Sequence, residues 1–241
     1  MIVLRGLINF GKKMEETKNR NMLIDAARVV CSLLVIVVHT RLWSDTDFYL
    51  GHFLSNVVAR MAVPLFFMFA GYFLYTRLSK EEHPVDYLKK YVLNLLRVYV
   101  IWSLIYLPYD FSLLLRSGDS YVEAGRIYLS HFFIEGGHFH LWFFPALIYT
   151  VLIVGFLYLK DRVKLLGFLA VLFYAIGLVG EPYRTWFAGM PVSADLFRLV
   201  HELGTSRSAL FFALPFVVWG FSEHKVMKKF GNRMLGTGFL L

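Results

Sequence analysis

Charged residues are scarce in this sequence, and cysteine is almost absent. Asp, Glu, Lys and Arg make up 17% of the 241 residues, and hydrophobic residues make up 58%. Soluble domains average about 25% charged residues and about 45–50% apolar residues. A soluble domain with so little charge would aggregate, so the composition predicts an integral membrane protein. The one cysteine, Cys31, leaves no partner for an intrachain disulfide.

Several common enzyme signatures are also missing. The sequence has neither a GxxxxGK[ST] phosphate loop nor a G-x-S-x-G nucleophile elbow. Soluble glycerolipid acyltransferases carry an H-x4-D arrangement, but His39 is followed by TRLWSD, which fails that spacing by one residue. These absences argue against P-loop nucleotide chemistry, α/β-hydrolase chemistry and soluble glycerolipid acyl transfer.

Long apolar runs dominate instead. A spanning helix needs about 20 mostly apolar residues. The predicted spans are 22–42, 53–76, 91–109, 139–159, 163–180 and 207–222, and a seventh begins at Met234. The predicted fold class is therefore all-α, a polytopic transmembrane helix bundle of about six spanning helices plus the start of a seventh, apparently truncated at its C-terminus. Residues 1–21 are predicted as a cytoplasmic N-terminal segment and 22–241 as the membrane domain.

Basic residues alternate with these runs. The net charge is +8, and with the N-terminus inside, most Lys and Arg residues fall on the cytoplasmic side. This pattern predicts a multi-pass protein of the cell membrane with a cytoplasmic N-terminus. It favours the lipid bilayer as partner and argues against nucleic acid. Residues 110–138 and 181–206 are predicted as long outer loops, and SHFFIEGGHFH as a re-entrant or interfacial segment.

Two ionisable residues interrupt the first apolar run, RVVCSLLVIVVHT. Arg28 and His39 are three turns plus about 20° apart, so they share one helix face with about 16 Å between them. In a local interpretation, Arg28 reaches the inner interface and pairs with Asp25, while His39 marks the outer boundary. In the alternative, a polar seam, Arg28 meets the anion of a cytoplasmic cofactor and His39 acts on a proton.

Further basic residues lie in the later apolar runs. Arg60 precedes Pro64 and Gly71 in the second run, and either an ion pair with Asp45 or Asp47 or a substrate contact would explain it.

Arg97 lies deeper than the flanking lysines of the third run, and Arg207 stands at the outer start of the sixth. His138 and His140 form an H-x-H pair. We expect no metal there, since no Cys, Asp or further His stands at a useful spacing.

At these positions the sequence resembles the integral-membrane acyltransferase 3 family. IDAARVVCSLLVIVVHT is similar to the family's first helix, which carries an Arg-x10-His motif, and RMAVPLFFMFAGYFL to its second-helix signature, with Ala70 in place of the usual serine. HLWFFPAL and SRSALFFALPF are similar to later signatures. The chain is also similar to the membrane half of the membrane-bound serine racemases of vancomycin-resistance operons. The resemblance covers about residues 22–222.

The resemblance implies a bundle of about ten spanning helices and an acyltransferase of the O-acetyltransferase type. Such an enzyme moves an acyl group, commonly acetyl, from cytoplasmic acyl-CoA to a hydroxyl of a sugar or other cell-envelope acceptor. It implies acetyl-CoA as donor co-substrate, with no permanently bound cofactor and no metal. By position, it also implies the following roles: His39 and Arg28 catalytic, Arg28 and Arg97 in contact with CoA, and Arg60, His140 and Arg207 in contact with the acceptor.

Two alternatives remain open from the residues alone. The chain could be a non-enzymatic membrane module that supplies serine or a similar amino acid to a racemase, or an inactive truncated remnant. Acyl-CoA binding at Arg28 and Arg97 favours the enzyme, and amino-acid uptake without CoA favours the module. Poor stability of the protein in the membrane favours the remnant, because Arg28 and Arg60 would then lack bundle partners.

Overall fold

The computed structural model describes residues 22–40, 48–180, 184–187, 193–202 and 208–223, and every regular element within them is helical. The α-helices are α1 (Met22–Thr40), α2 (Phe48–Phe53), α3 (Ala62–Leu78), α4 (Pro84–Arg116), α5 (Tyr121–Ile134), α6 (Phe143–Leu159), α7 (Val163–Gly180), α8 (Arg184–Phe187), α9 (Ser193–Glu202) and α10 (Leu214–Ser222). Shorter turns of other helical types lie between them: π-helical Leu54–Val58 and Ala209–Ala213, and 3₁₀ Ala59–Met61 and Phe139–Trp142.

Four helical stretches of the described chain are long and apolar enough to cross a bilayer: Met22–Thr40, Tyr49–Leu78, Pro84–Arg116 and Tyr121–Leu159. The apolar helices Val163–Val179 and Ala209–Ser222 are shorter. These stretches contain the cores of all six predicted spans, and the all-α prediction is confirmed.

The segment 110–138 differs from the predicted long loop. Helix α4 continues through Pro108 to Arg116, and Gly118, with φ of 97°, ends it. Helix α5 then begins after Ser120, whose hydroxyl accepts a hydrogen bond from the Glu123 N–H at 3.3 Å. Because an N-cap serine satisfies one of the free N–H groups of the first turn, a loop-like composition here starts a helix.

The described residues divide into two compact units, one formed by those up to Val63 and the other by those from Pro64 to Glu223. In the first unit, α1 packs against the π-helical and 3₁₀ turns of residues 54–61. Its buried side chains are Ile24 and Cys31, and Ala59 is fully buried. Cys31 therefore packs as a small buried hydrophobic residue.

In the second unit, α6 is the central helix. It packs against α4, α7 and the π-helical turn Ala209–Ala213, and its Val151 and Val154 are completely buried. Helices α3 and α10 cross at two glycines. A Cβ at Gly71 would overlap the Val217 carbonyl, and one at Gly220 would overlap the Met68 carbonyl. The two helices therefore pack closely at this crossing, and each contributes one glycine to it.

Candidate functional site

Arg28 and His39 both lie on α1, an unbroken helix, so their spacing places them on one side of it. An Arg28 Nη1 lies 3.8 Å from Asp25 Oδ1, three residues earlier, and the two side chains are 52% and 28% exposed. His39 is exposed in the last turn. The local pair predicted for Arg28 is therefore present, as a loose and partly exposed contact.

The other predicted site residues are spread over both units. Arg60 is exposed in the 3₁₀ turn Ala59–Met61 of the first unit. Arg97, in the second unit, is exposed on α4 and its Nη1 donates to Asn94 Oδ1 at 3.4 Å. His140, also in the second unit, is exposed in the 3₁₀ turn Phe139–Trp142. Arg207 and the predicted Arg60 partners, Asp45 and Asp47, lie outside the described residues.

In the second unit, the glycine pair of GGHFH forms a sharp turn that positions His138. Gly136 has φ of 89°, and a Cβ there would lie 2.5 Å from the Trp142 amide nitrogen. A Cβ at Gly137 would lie 2.8 Å from the Tyr128 hydroxyl. Positive φ and the nearby backbone both require glycine at Gly136, where the chain turns sharply from α5 into the 3₁₀ turn. His138 lies at that corner.

Tyrosine hydroxyls hold the corner in place. Tyr99 on α4 is buried, and its hydroxyl donates to the Phe132 carbonyl and accepts from the Gly137 N–H at 3.0 Å. Tyr149 on α6 donates to the Phe133 carbonyl at 2.8 Å. These carbonyls belong to the last turn of α5, whose carbonyls have no partner within the helix. The two tyrosines therefore anchor the end of α5 to α4 and α6.

The imidazole of His138 contacts a carboxylate on the neighbouring helix. His138 Nδ1 lies 2.7 Å from Asp110 Oδ1 on α4, and the two side chains are 14% and 16% exposed. The ring stacks on Tyr106 with centroids 4.1 Å apart and planes 4° from parallel. Opposite an ionised carboxylate, which can only accept, Nδ1 is the donor nitrogen, and Nε2 is the ring nitrogen on the other side from Asp110. Such a dyad fixes both the tautomer and the orientation of the ring.

The dyad lines a cleft of about 430 Å³ between α4, α5 and the 3₁₀ turn, which we call the His138 cleft. Its walls include Leu113, Leu114, Tyr128 and Trp142. At its edge His131 Nε2 and Glu135 Oε2 lie 4.0 Å apart, with both side chains half exposed.

The sequence identified His138 only as half of an H-x-H pair and did not identify Asp110 as a site residue. The signal available was a lone carboxylate, YLPYDFSLLL, in an otherwise apolar stretch. His138 and its hydrogen-bond partner Asp110 are 28 residues apart. Spacing along the chain could not reveal this contact, because it depends on how α5 folds back. The rings of His138 and His140 are 5.3 Å apart, and no group of three potential metal ligands converges within the described ranges.

Comparison with protein families gives one match over most of the chain. A family model described as an acyltransferase domain, Acyl_transf_3, matches residues 23–235. Together with the four long apolar helices of the described chain, this match identifies a multi-pass membrane protein.

Three curated proteins are similar over the same region. An amino-acid racemase of Enterococcus faecalis is 30% identical over 216 residues, which is 88% of this chain and 30% of that protein. A serine/alanine racemase of Enterococcus gallinarum is 27% identical over 87% of this chain and 30% of its own length. A second amino-acid racemase of E. faecalis is 28% identical over 85% and 28%. The chain thus spans less than a third of the length of these relatives. No solved structure matches it.

Proposed function

Because the chain belongs to the acyltransferase 3 family, we propose that it moves an acyl group, most simply acetyl, from cytoplasmic acyl-CoA to a hydroxyl of a sugar or other cell-envelope acceptor. One observation carries the proposal: the matched region contains Arg28 and His39 on the same side of one unbroken helix. An anion-binding cation and a general base are the two groups that acyl transfer from CoA requires.

In the proposed reaction, His39 removes the proton from the acceptor hydroxyl. The hydroxyl oxygen attacks the thioester carbonyl carbon, the C–S bond breaks, and the CoA sulfur leaves as thiolate. The imidazolium returns its proton to that thiolate, which releases CoA as the thiol. Histidine suits both transfers because its unperturbed pKa of about 6.5 lies near working pH. Direct attack of His39 on the thioester, giving an acyl-histidine, would use the same residue.

Arg28 is proposed to bind the phosphates of CoA. Its guanidinium is half exposed and its contact with Asp25 is loose, at 3.8 Å, so a phosphate could replace that partner at low cost. Arg97 is proposed as a second CoA contact. We assign Arg60, His140 and Arg207 to the acceptor. We also propose that the N-terminus is cytoplasmic, which would put Arg28 on the side where CoA is found.

The test is acetyl-CoA binding and turnover by the purified protein in nanodiscs. We expect the parent to bind acetyl-CoA and release CoA, Arg28→Ala to bind at least tenfold more weakly, and His39→Ala to bind normally without turnover. His83→Ala, an exposed histidine in the turn before α4, is the matched control and should behave as the parent. A folded, monodisperse parent that binds no acetyl-CoA would reject the assignment.

The racemase relatives favour one other function for the same region. Each is named for an amino-acid racemase or a serine/alanine racemase, and each matches this chain over 30% or less of its own length. On that basis the second candidate is a membrane module that supplies serine or a similar amino acid to a racemase. Uptake of radiolabelled L-serine into proteoliposomes, with no dependence on Arg28 or acetyl-CoA, would favour it over the transferase.

A further inference from the structure

We propose that the His138 cleft binds an uncharged polyol, of which a pyranoside is the simplest representative, through a hydrogen bond from a ligand hydroxyl to His138 Nε2. The site lies in the second unit and involves none of the residues assigned above to acyl-CoA.

The first support is the state of the imidazole. Asp110 occupies Nδ1 at 2.7 Å, and Tyr106 covers one face of the ring. No described residue bonds Nε2, although His138 lines the cleft. In the neutral imidazole whose Nδ1–H donates to Asp110, Nε2 presents a lone pair that accepts a hydrogen bond from a hydroxyl. The stack and the dyad fix the direction of that lone pair before any ligand arrives.

The second support is the charge of the cleft. Among the described residues that line it there are two carboxylates, Asp110 and Glu135, and two imidazoles, His131 and His138, but no lysine or arginine. A ligand carboxylate or phosphate would meet like charge without a fixed cation to compensate it. The phosphates of CoA are therefore unsuited to this cleft, and an uncharged ligand is suited to it.

The third support is the shape and lining. At about 430 Å³ the cleft falls within the range of about 300–1,000 Å³ typical of small-molecule sites. Trp142 and Tyr128 supply aromatic surface, and Leu113 and Leu114 supply aliphatic surface. A pyranose ring presents apolar C–H groups on its faces and hydroxyls at its edge, so it matches apolar walls with one aligned acceptor.

This inference goes beyond the proposed function and does not require that the bound polyol be the acyl acceptor. Binding at the cleft can be measured without acetyl-CoA, so the two claims can fail separately.

The experiment is a titration of the purified full chain in nanodiscs with methyl β-D-glucopyranoside, followed by tryptophan fluorescence. Sodium glucuronate has the same ring with a carboxylate, and L-serine is the third probe. We expect saturable binding of the glucoside, at least tenfold weaker binding of glucuronate and of serine, and no fluorescence change in Trp142→Phe. Equal or tighter binding of either charged probe, or no saturable glucoside binding, would overturn the proposal.

The decisive variant is His138→Asn. Its side-chain amide can still donate to Asp110 from near the Nδ1 position, but it has no group at Nε2. We expect glucoside binding to weaken at least tenfold, as for a lost hydrogen bond in a desolvated site, in variant protein that is still folded and monodisperse. His83→Asn is the matched control. If His138→Asn fails to fold, the ranking of the three probes on the parent still decides the proposal.

The outcomes separate the two claims. Acetyl transfer that depends on His39, together with glucoside binding that His138→Asn leaves unchanged, rejects the polyol site alone. Binding that depends on His138, in a protein that neither binds nor turns over acetyl-CoA, supports the polyol site and rejects the transferase alone.

Discussion

Helix α1 and the His138 cleft bear their polar groups in opposite ways. On α1, Arg28 and His39 are exposed, and Arg28 contacts Asp25 on the same helix. In the cleft, His138 is largely buried and its partner, Asp110, lies 28 residues away on another helix. A local motif thus marks one region, and a tertiary contact marks the other.

The difference predicts how each region responds to substitution. Exposed groups on α1 contribute little to folding, so changes there should affect ligand or chemistry and leave stability almost unchanged. The residues that build the cleft corner hold buried hydrogen bonds and a constrained backbone, so changes there should lower stability first. Four substitutions, from the largest expected effect to the smallest, test this contrast.

The largest effect expected is on catalysis at α1. His39→Ala should lower the rate of acetyl transfer by about 10²–10⁴, the usual contribution of general-base assistance, while the thermal unfolding midpoint stays at the parent value. CoA release and circular dichroism measure the two quantities on one preparation. A rate within a factor of three of the parent would show that the motif histidine is not the base.

The second effect is structural and concerns the cleft corner. Gly136→Ala combines positive φ with a Cβ 2.5 Å from the Trp142 amide nitrogen, and we expect a loss of about 3 kcal/mol or more in the free energy of unfolding. Gly118→Ala is the matched control, because Gly118 has φ of 97° but open space around it. It should cost about 1–2 kcal/mol. Equal losses would mean that backbone strain alone matters at the corner.

The third effect is the loss of one anchoring hydroxyl. Tyr99→Phe removes the acceptor of the Gly137 N–H and the donor to the Phe132 carbonyl, and we expect a loss of about 1–3 kcal/mol. Tyr149→Phe removes a single bond at an exposed tyrosine and should cost about 0.5–1 kcal/mol. Denaturant unfolding in mild detergent compares the two. A larger loss for Tyr149→Phe would contradict the assigned anchoring role of Tyr99.

The smallest effect expected is at the ion pair of α1. Asp25→Asn breaks a 3.8 Å contact between partly exposed groups, and surface pairs of this kind contribute about 0–1 kcal/mol. We expect a thermal midpoint within about 2 °C of the parent, by the usual relation between free energy and midpoint. A drop of 5 °C or more would show that Asp25 has a structural role beyond this pair.

Much of the architecture could be predicted because it depends on short-range properties. Apolar runs long enough to span a bilayer predict helices without knowledge of their neighbours, and the run from Met22 to Thr40 is helical as expected. The burial of Cys31 and the close packing at Gly71 follow from residue type and context in the same way. The loop prediction for segment 110–138 is wrong because Gly118 ends one helix and Ser120 caps the next, and both residue types are also common in loops.

The sequence by itself determined the all-helical membrane character, the family and the Arg28–His39 motif, since composition, run length and spacing along one helix contain that information. Only the tertiary structure decided that Asp110 faces His138, that Tyr106 stacks on its ring and that tyrosines from α4 and α6 anchor the end of α5. The physical reason is that these contacts join residues far apart in the chain. Their geometry depends on how the helices pack and on a glycine turn that no local pattern specifies.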